Sequence, residues 1–157
     1  MKYYTSDGTP RVHVLQFDPD DLLLEGIGEF IAASGIRDGV VISGIGTLKN
    51  TTMHMVTTTT FPPVETFPTF DDQPLELTSM QGVIADGVPH IHMNVSDRRT
   101  GVGGHLEPKC EVLYLAEVAI LELPGLSLTR VPGVGDALKL VPRPAGQQGA
   151  GPVPAAG

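Results

Sequence analysis

The stretch Pro89-His90-Ile91-His92-Met93-Asn94-Val95-Ser96-Asp97-Arg98-Arg99-Thr100-Gly101-Val102-Gly103-Gly104-His105-Leu106 decides how this chain is read. Two strand-like runs, His90–Ser96 and Val102–Leu106, flank a polar tetrad, the pattern of antiparallel strands joined by a tight turn. Alternation along a strand sends residues i and i+2 to one face, so His90 and His92 stand side by side. A two-residue turn at Arg98-Arg99, or a wider one from Asp97 to Thr100, sets one register. It puts His92 across the ladder from His105, with Cβ atoms about 5 Å apart. A bulge at Gly103-Gly104 would shift that register. Three neutral imidazoles meeting in space favour Zn2+ or another borderline divalent metal, and the lack of an evident fourth ligand leaves a position for water or substrate. The alternative is three histidines that are solvated or hydrogen-bonded separately.

Outward from this hairpin, the chain reads as strand and turn on both sides. Upstream lie strands Arg11–Phe17, Val40–Ile45, Thr51–Thr58 and Leu75–Ile84, and downstream Glu111–Leu123. One helix interrupts them. Asp18 is a good N-cap, Pro19 suits the first helical position, and Asp20 and Asp21 favour the positive end of the dipole. Leu23, Ile27, Phe30 and Ile31 keep helical spacing, and Gly35-Ile36 reads as a left-handed C-cap with an apolar follower. Phe61–Gln73, with three prolines and three phenylalanines, reads as a long loop whose aromatics must bury somewhere. The expected architecture is α+β, a mostly antiparallel sheet with one main helix, in a domain spanning 1–141. Residues 142–157, rich in Pro, Gly and Ala, read as a tail.

Composition narrows the function. The chain has 157 residues, 18% of them charged, against roughly 25% in typical globular domains. A net charge of −8 with ten Lys and Arg disfavours nucleic acid as a partner, since phosphate affinity rests on basic side chains. No apolar run approaches the roughly 18 residues of a membrane span, and no charged-then-apolar segment opens the chain. The single cysteine, Cys110, excludes an internal disulfide and reads first as a small buried hydrophobe. The expected compartment is the cytoplasm. His13 and His54, each alone on an apolar strand, read as satisfied half-buried residues and not as ligands. Arg98-Arg99 reads as a solvated hairpin tip. Gly44-Ile45-Gly46 is only a fragment of a dinucleotide-binding glycine loop, with no third glycine and no following helix.

Five segments together resemble a known family. They are Gly44-Ile45-Gly46-Thr47-Leu48, Leu77-Thr78-Ser79-Met80-Gln81-Gly82, Pro89-His90-Ile91-His92, Gly103-Gly104-His105-Leu106 and Glu117-Val118. Their order and spacing, from Arg11 to Leu123, are similar to those of the plants and prokaryotes conserved (PPC) domain family. The resemblance implies an α+β fold assembled as a homotrimer, with sites near subunit boundaries, of the bacterial or archaeal type that carries these histidines. Cys110 stands where the family usually has glycine. Glu117 matches the family's acidic position. In so apolar a run its carboxylate needs a partner. It would orient a metal-bound histidine, act as general acid or base, or pair with an arginine across a subunit contact.

The expected function is therefore that of a metal-dependent enzyme, a lyase before a hydrolase, acting on a small, possibly aromatic substrate. His90, His92 and His105 would hold Zn2+ or another divalent transition metal, and Glu117 would be the catalytic residue. Met53, Met55, Met80 and Met93, with the loop phenylalanines, would line an apolar pocket. The alternative is a DNA-binding or regulatory protein with a structural metal.

Overall fold

The computed structural model describes residues 1–134 and 137–144, so the expected tail from residue 145 onward lies outside the described residues. In chain order, β1 (Arg11–Phe17) leads to α1 (Leu23–Ser34), β2 (Gly39–Val56), β3 (Glu65–Thr66) and β4 (Thr69–Phe70). Then follow β5 (Leu75–Ala85), β6 (Val88–Ser96), β7 (Gly101–Leu106), β8 (Glu111–Glu122), β9 (Leu128–Pro132) and β10 (Leu138–Pro142). The α+β class is as expected: one α-helix among the described residues and an antiparallel sheet.

The two expected strands Val40–Ile45 and Thr51–Thr58 are one strand, β2, of 18 residues. The sheet runs β1-β8-β2-β5-β6-β7, and β7 returns to pair with the far end of β2. Register shifts along β2 between Val41 and Ser43, and again between Gly46 and Asn50, mark irregularities of the kind that bend a strand. That bend lets the near end of β2 serve β5 and its far end β7, closing β2, β5, β6 and β7 on one another. Ile91, Met93 and Val95 point inward from β6, with Val112, Val118 and Ile120 from β8 and Leu48 and Met53 from β2. α1 covers this core with Leu23, Ile27 and Ile31.

The helix begins later than its capping signals indicate. Asp18–Asp21 is a turn, in which Asp21 Oδ2 accepts the Asp18 N–H at 2.8 Å and Asp20 has φ 74°. The cause is tertiary: Asp20 N–H donates to Val112 O and Leu23 N–H to Cys110 O, holding the segment extended against β8 until Leu22. The C-terminal signal holds, with Gly35 at φ 72° donating to Ile31 O and Ile36 buried.

Two further differences concern the ends of the domain and the long loop. β9 and β10 form a separate hairpin, tied down where Leu128 N–H donates to Asp38 Oδ1 at 2.9 Å. Pro142 closes β10, and Arg143 ion-pairs with Asp86 and lies 3.7 Å from Asp38. In the loop, β3 and β4 pair with the far end of β2, and of the three aromatics only Phe70 packs on the core. Phe61 and Phe67 stay exposed, because these pairings hold the loop along β2 and not over the core. Among the described residues no helix is long and apolar enough to cross a membrane.

Gly46 explains the Gly-Ile-Gly fragment. Its φ is 152°, and a Cβ there would meet Leu115 O at 2.5 Å and Ala116 Cα at 2.6 Å. The glycine serves close strand approach, not a nucleotide. Gly46→Ala is predicted to destabilise the fold by about 2 kcal/mol or more, since strained backbone and a backbone clash add. Urea denaturation measures this, and a loss under about 0.5 kcal/mol would contradict the assigned role.

Candidate metal centre and adjoining groove

The hairpin places its histidines as its turn dictates. Asp97 Oδ1 accepts the N–H groups of Arg99 and Thr100, both at 2.7 Å, and Asp97 N–H donates to Thr100 O. These bonds hold the Asp97 carboxyl below its ordinary value. The turn sets Ser96 opposite Gly101 and His92 opposite His105, with no bulge at Gly103-Gly104. β6 turns His90, His92 and Asn94 outward while Ile91, Met93 and Val95 enter the core. The three imidazoles therefore meet on the outer face.

Their ring centroids are 5.3 Å apart for His90 and His92, 5.0 Å for His90 and His105, and 5.5 Å for His92 and His105. An ion about 2.05 Å from each of three ring nitrogens at tetrahedral angles would set centroids about 5.2 Å apart. The rings stand near that spacing, but among the described residues the donor atoms that all lie within 4.8 Å of one another are those of His54, His105 and Glu107, so the three imidazoles are gathered and not closed round one point. His90 is hemmed in by these neighbours, and desolvation, followed by the charges of His105, Arg130, His92 and His54, holds it down to about 4. Desolvation also lowers His105. Neutral imidazole is the form that binds metal.

Two residues missing from the sequence-derived site join it here. Closure of β7 on β2 makes His54 and His105 Cα partners, and their ring centroids lie 4.7 Å apart. Gly104 allows that closure, since a Cβ there would lie 2.9 Å from His54 O. Glu107 Oε1 then takes hydrogen bonds from both Nδ1 atoms, at 2.7 Å from His54 and 3.0 Å from His105. Donor atoms of His54, His105 and Glu107 all lie within 4.8 Å of one another, making this a tighter donor set than the expected triad. His54 also lies 3.8 Å from Glu65 Oε1 on β3 and 5.4 Å, ring to ring, from Phe67. The expectation of His54 as an isolated residue is thus corrected. It depended on the far end of β2 having no histidine-bearing neighbour. His13 does behave as expected, with Nε2 3.3 Å from Glu122 Oε2 and its ring against Phe30.

Glu117 is placed differently from the expectation. It is exposed, opposite Gln16 on β1 and Ile45 on β2. Three strand spacings along the sheet, about 14 Å, separate β8 from β6, so within one chain Glu117 does not join the histidines. Alternation that put Val118 and Ile120 inward put Glu117 outward, and it needs no buried partner. The methionine lining is also corrected: Met53, Met80 and Met93 are core residues on the opposite face of the sheet. What flanks the histidines is a groove of about 570 Å³ lined by Val40, Ile42, Val83 and Gln81 with His90 and His92. Cys110 is buried, donates to Thr52 O, and has its thiol pushed up to about 11 by burial, which suits packing and not reactivity.

A family model for the Plants and Prokaryotes Conserved (PCC) domain matches residues 4–124. A metal-containing protein from Archaeoglobus fulgidus is similar in structure, with a TM-score of 0.73 and 25% identity over 88% of this chain and 96% of its own. A plant- and prokaryote-conserved (PPC) protein from Pyrococcus horikoshii gives 0.67 and 27% over 82% and 93%. A curated relative, the bifunctional protein GlmU of a Synechococcus strain, is 24% identical over 126 residues, 80% of this chain and 19% of that protein. The chain spans about a fifth of the length of the curated relatives it matches.

Crowding at His90 predicts a pH dependence in metal-free protein. The unfolded chain takes up this proton near 6.5, while the folded chain stays neutral down to about 4. Between those values the unfolded state binds more protons, so stability falls as pH falls through the window. Denaturant unfolding with chelator present should show the loss, and His90→Gln should reduce it. An equal loss in the variant would refute the assignment to His90.

Proposed function

The chain belongs to the Plants and Prokaryotes Conserved (PCC) domain family, and on that footing we propose that it is a metal-dependent enzyme of the cytoplasm, a lyase in preference to a hydrolase, acting on a small apolar or aromatic substrate. The observation that carries this reading is the meeting of His90, His92 and His105 at ring spacings of 5.0 to 5.5 Å beside an apolar groove. The similarity to a protein described as metal-containing supports it. A divalent ion such as Zn2+ at these histidines would supply a Lewis acid that polarises a substrate oxygen.

The chain's own residues do the rest. Glu107 accepts from Nδ1 of His105, which fixes the tautomer and leaves Nε2 free as a ligand atom. The same carboxylate holds Nδ1 of His54, leaving the second ring nitrogen of His54 free to take or give a proton. The acid–base role within one chain thus falls to the Glu107–His54 pair, not to Glu117. Val40, Ile42 and Val83 offer an apolar bed to the substrate body.

Assembly as a homotrimer belongs to the same reading. Val12 and Val14 of β1, Ile42 and Ile45 of β2 and Tyr114 and Leu115 of β8 are exposed large hydrophobics on neighbouring strands. An apolar surface of this kind marks a contact. Glu117 stands among them, a placement that favours pairing across a subunit contact over catalysis. A DNA-binding role is disfavoured by the net charge of −8.

Elemental analysis of the purified protein is the direct test. One ion per chain is expected, and His92→Ala should lose most of it; less than about a third of an ion in the wild type would sink the proposal. Glu107→Gln should bind the metal about 10- to 100-fold more weakly while folding normally. Light scattering should give three times the 16.6 kDa of one chain, and a monomer would remove the trimer. DNA binding that strengthens as salt falls would replace the enzyme reading with the regulatory one.

A further inference from the structure

Glu107 Oε1 is the point on which two imidazoles converge. Nδ1 of His54 lies 2.7 Å from it and Nδ1 of His105 3.0 Å. The rings stand 4.7 Å apart at an interplanar angle of 30°, and their Nδ1 edges face the same carboxylate oxygen. Donor atoms disposed tetrahedrally about a divalent ion stand about 3.3 Å apart, little beyond these contacts. The backbone holds the set in place: His54 and His105 are Cα partners, and Glu107 N–H donates to Thr52 O. The side chains of His54, His105 and Glu107 are 25%, 24% and 21% exposed, shielded enough to strengthen a charge yet reachable by an ion.

Two further observations call for a cation. Nε2 of His54 lies 3.8 Å from Glu65 Oε1 on β3. A carboxylate beside the far ring nitrogen is the common support of a metal-bound histidine. Glu65 and Glu107 thus bring two carboxylates to one imidazole. Among the described residues neither has a Lys or Arg within ion-pairing distance.

We propose that His54, His105 and Glu107 form a second divalent-metal position, able to fill without His90 or His92. Two imidazoles and one carboxylate suit a borderline first-row ion such as Zn2+, with water completing its shell. On binding, the Nδ1 protons shared with Glu107 leave to solvent. His105 belongs to both positions, through Nδ1 here and through Nε2 beside His90 and His92. A neutral imidazole offers one lone pair at a time. With both positions filled its ring must give up its last N–H proton and bridge the ions, so the second ion is the weaker held. The position does not rest on the proposed function; under that reading, filling it takes the Glu107–His54 pair out of acid–base service.

Calorimetric titration of chelator-stripped protein with Zn2+ tests this. Wild type should take up two ions per chain, the second more weakly. His54→Gln, with its fold checked by circular dichroism, should keep only the first. On titration His92→Ala should still take up one ion, and adding His54→Gln should abolish it. Glu65→Gln should weaken that ion about 10-fold or more. One ion in wild type with none in His92→Ala overturns the proposal, as does a second ion that persists in folded His54→Gln. If His92→Ala binds Zn2+ as wild type does and His54→Gln binds none, this position stands and the reading of the three-histidine site falls.

Discussion

Closure of β7 onto the far end of β2 is the constraint on which the rest of the structure depends. β2 spends its near half between β8 and β5, then bends and offers its last residues to β7, β3 and β4. Without that second use of one strand, β6 and β7 would form an open edge with a solvated row of histidines. With it, His54 is carried to His105, Glu107 is brought under both, and Gly104 becomes the point where two backbones nearly touch. A single 18-residue strand thus unites the histidine-bearing hairpin with the groups that orient its rings.

Local information sufficed for the hairpin. Turn residues fixed its register, and a period of two fixed which side chains share a face, so the His92–His105 pairing follows from ten or so neighbouring residues. The helix C-terminus was legible for the same reason, since Gly35 needs only its own backbone geometry. The helix N-terminus was not. Asp18 and Pro19 carry good local signals, but β-bridging of Leu22 to Glu111, some ninety residues away, overrides them. The single strand β2 spans what the sequence presents as two, Val40–Ile45 and Thr51–Thr58. Only the close approach of Ala116 shows why Gly46 belongs inside a strand.

The same contrast separates the parts of the site. His90, His92 and His105 lie within one hairpin, and a pairing rule finds them. His54 and Glu107 depend on a contact between strands some fifty residues apart, which no local pattern encodes. Glu117 shows the converse. The apolar run around it suggests a buried carboxylate, but alternation along β8 sends successive residues to opposite faces. The acid in a strand takes whichever face the period gives it, and in β8 that face is outward.

That outward placement bears on how the proposed chemistry could work. Core residues Met53, Met80 and Met93 fill the inner face, so the histidines on the outer face are free of packing demands, and substitution there should leave the core intact. The cost is exposure. A Lewis acid acts weakly in high-dielectric water and strongly when water is excluded. Within one chain the groove beside His90 and His92 is open, and Phe67 reaches only His54. The exposed apolar residues of β1, β2 and β8 are of the kind a second copy would cover, and Ile42 belongs both to that surface and to the groove. A site that completes its water exclusion at a subunit boundary needs little surface charge around it, which accords with a chain only 18% charged. On this view the sparse charge and the open groove have one physical origin, a face built to be covered.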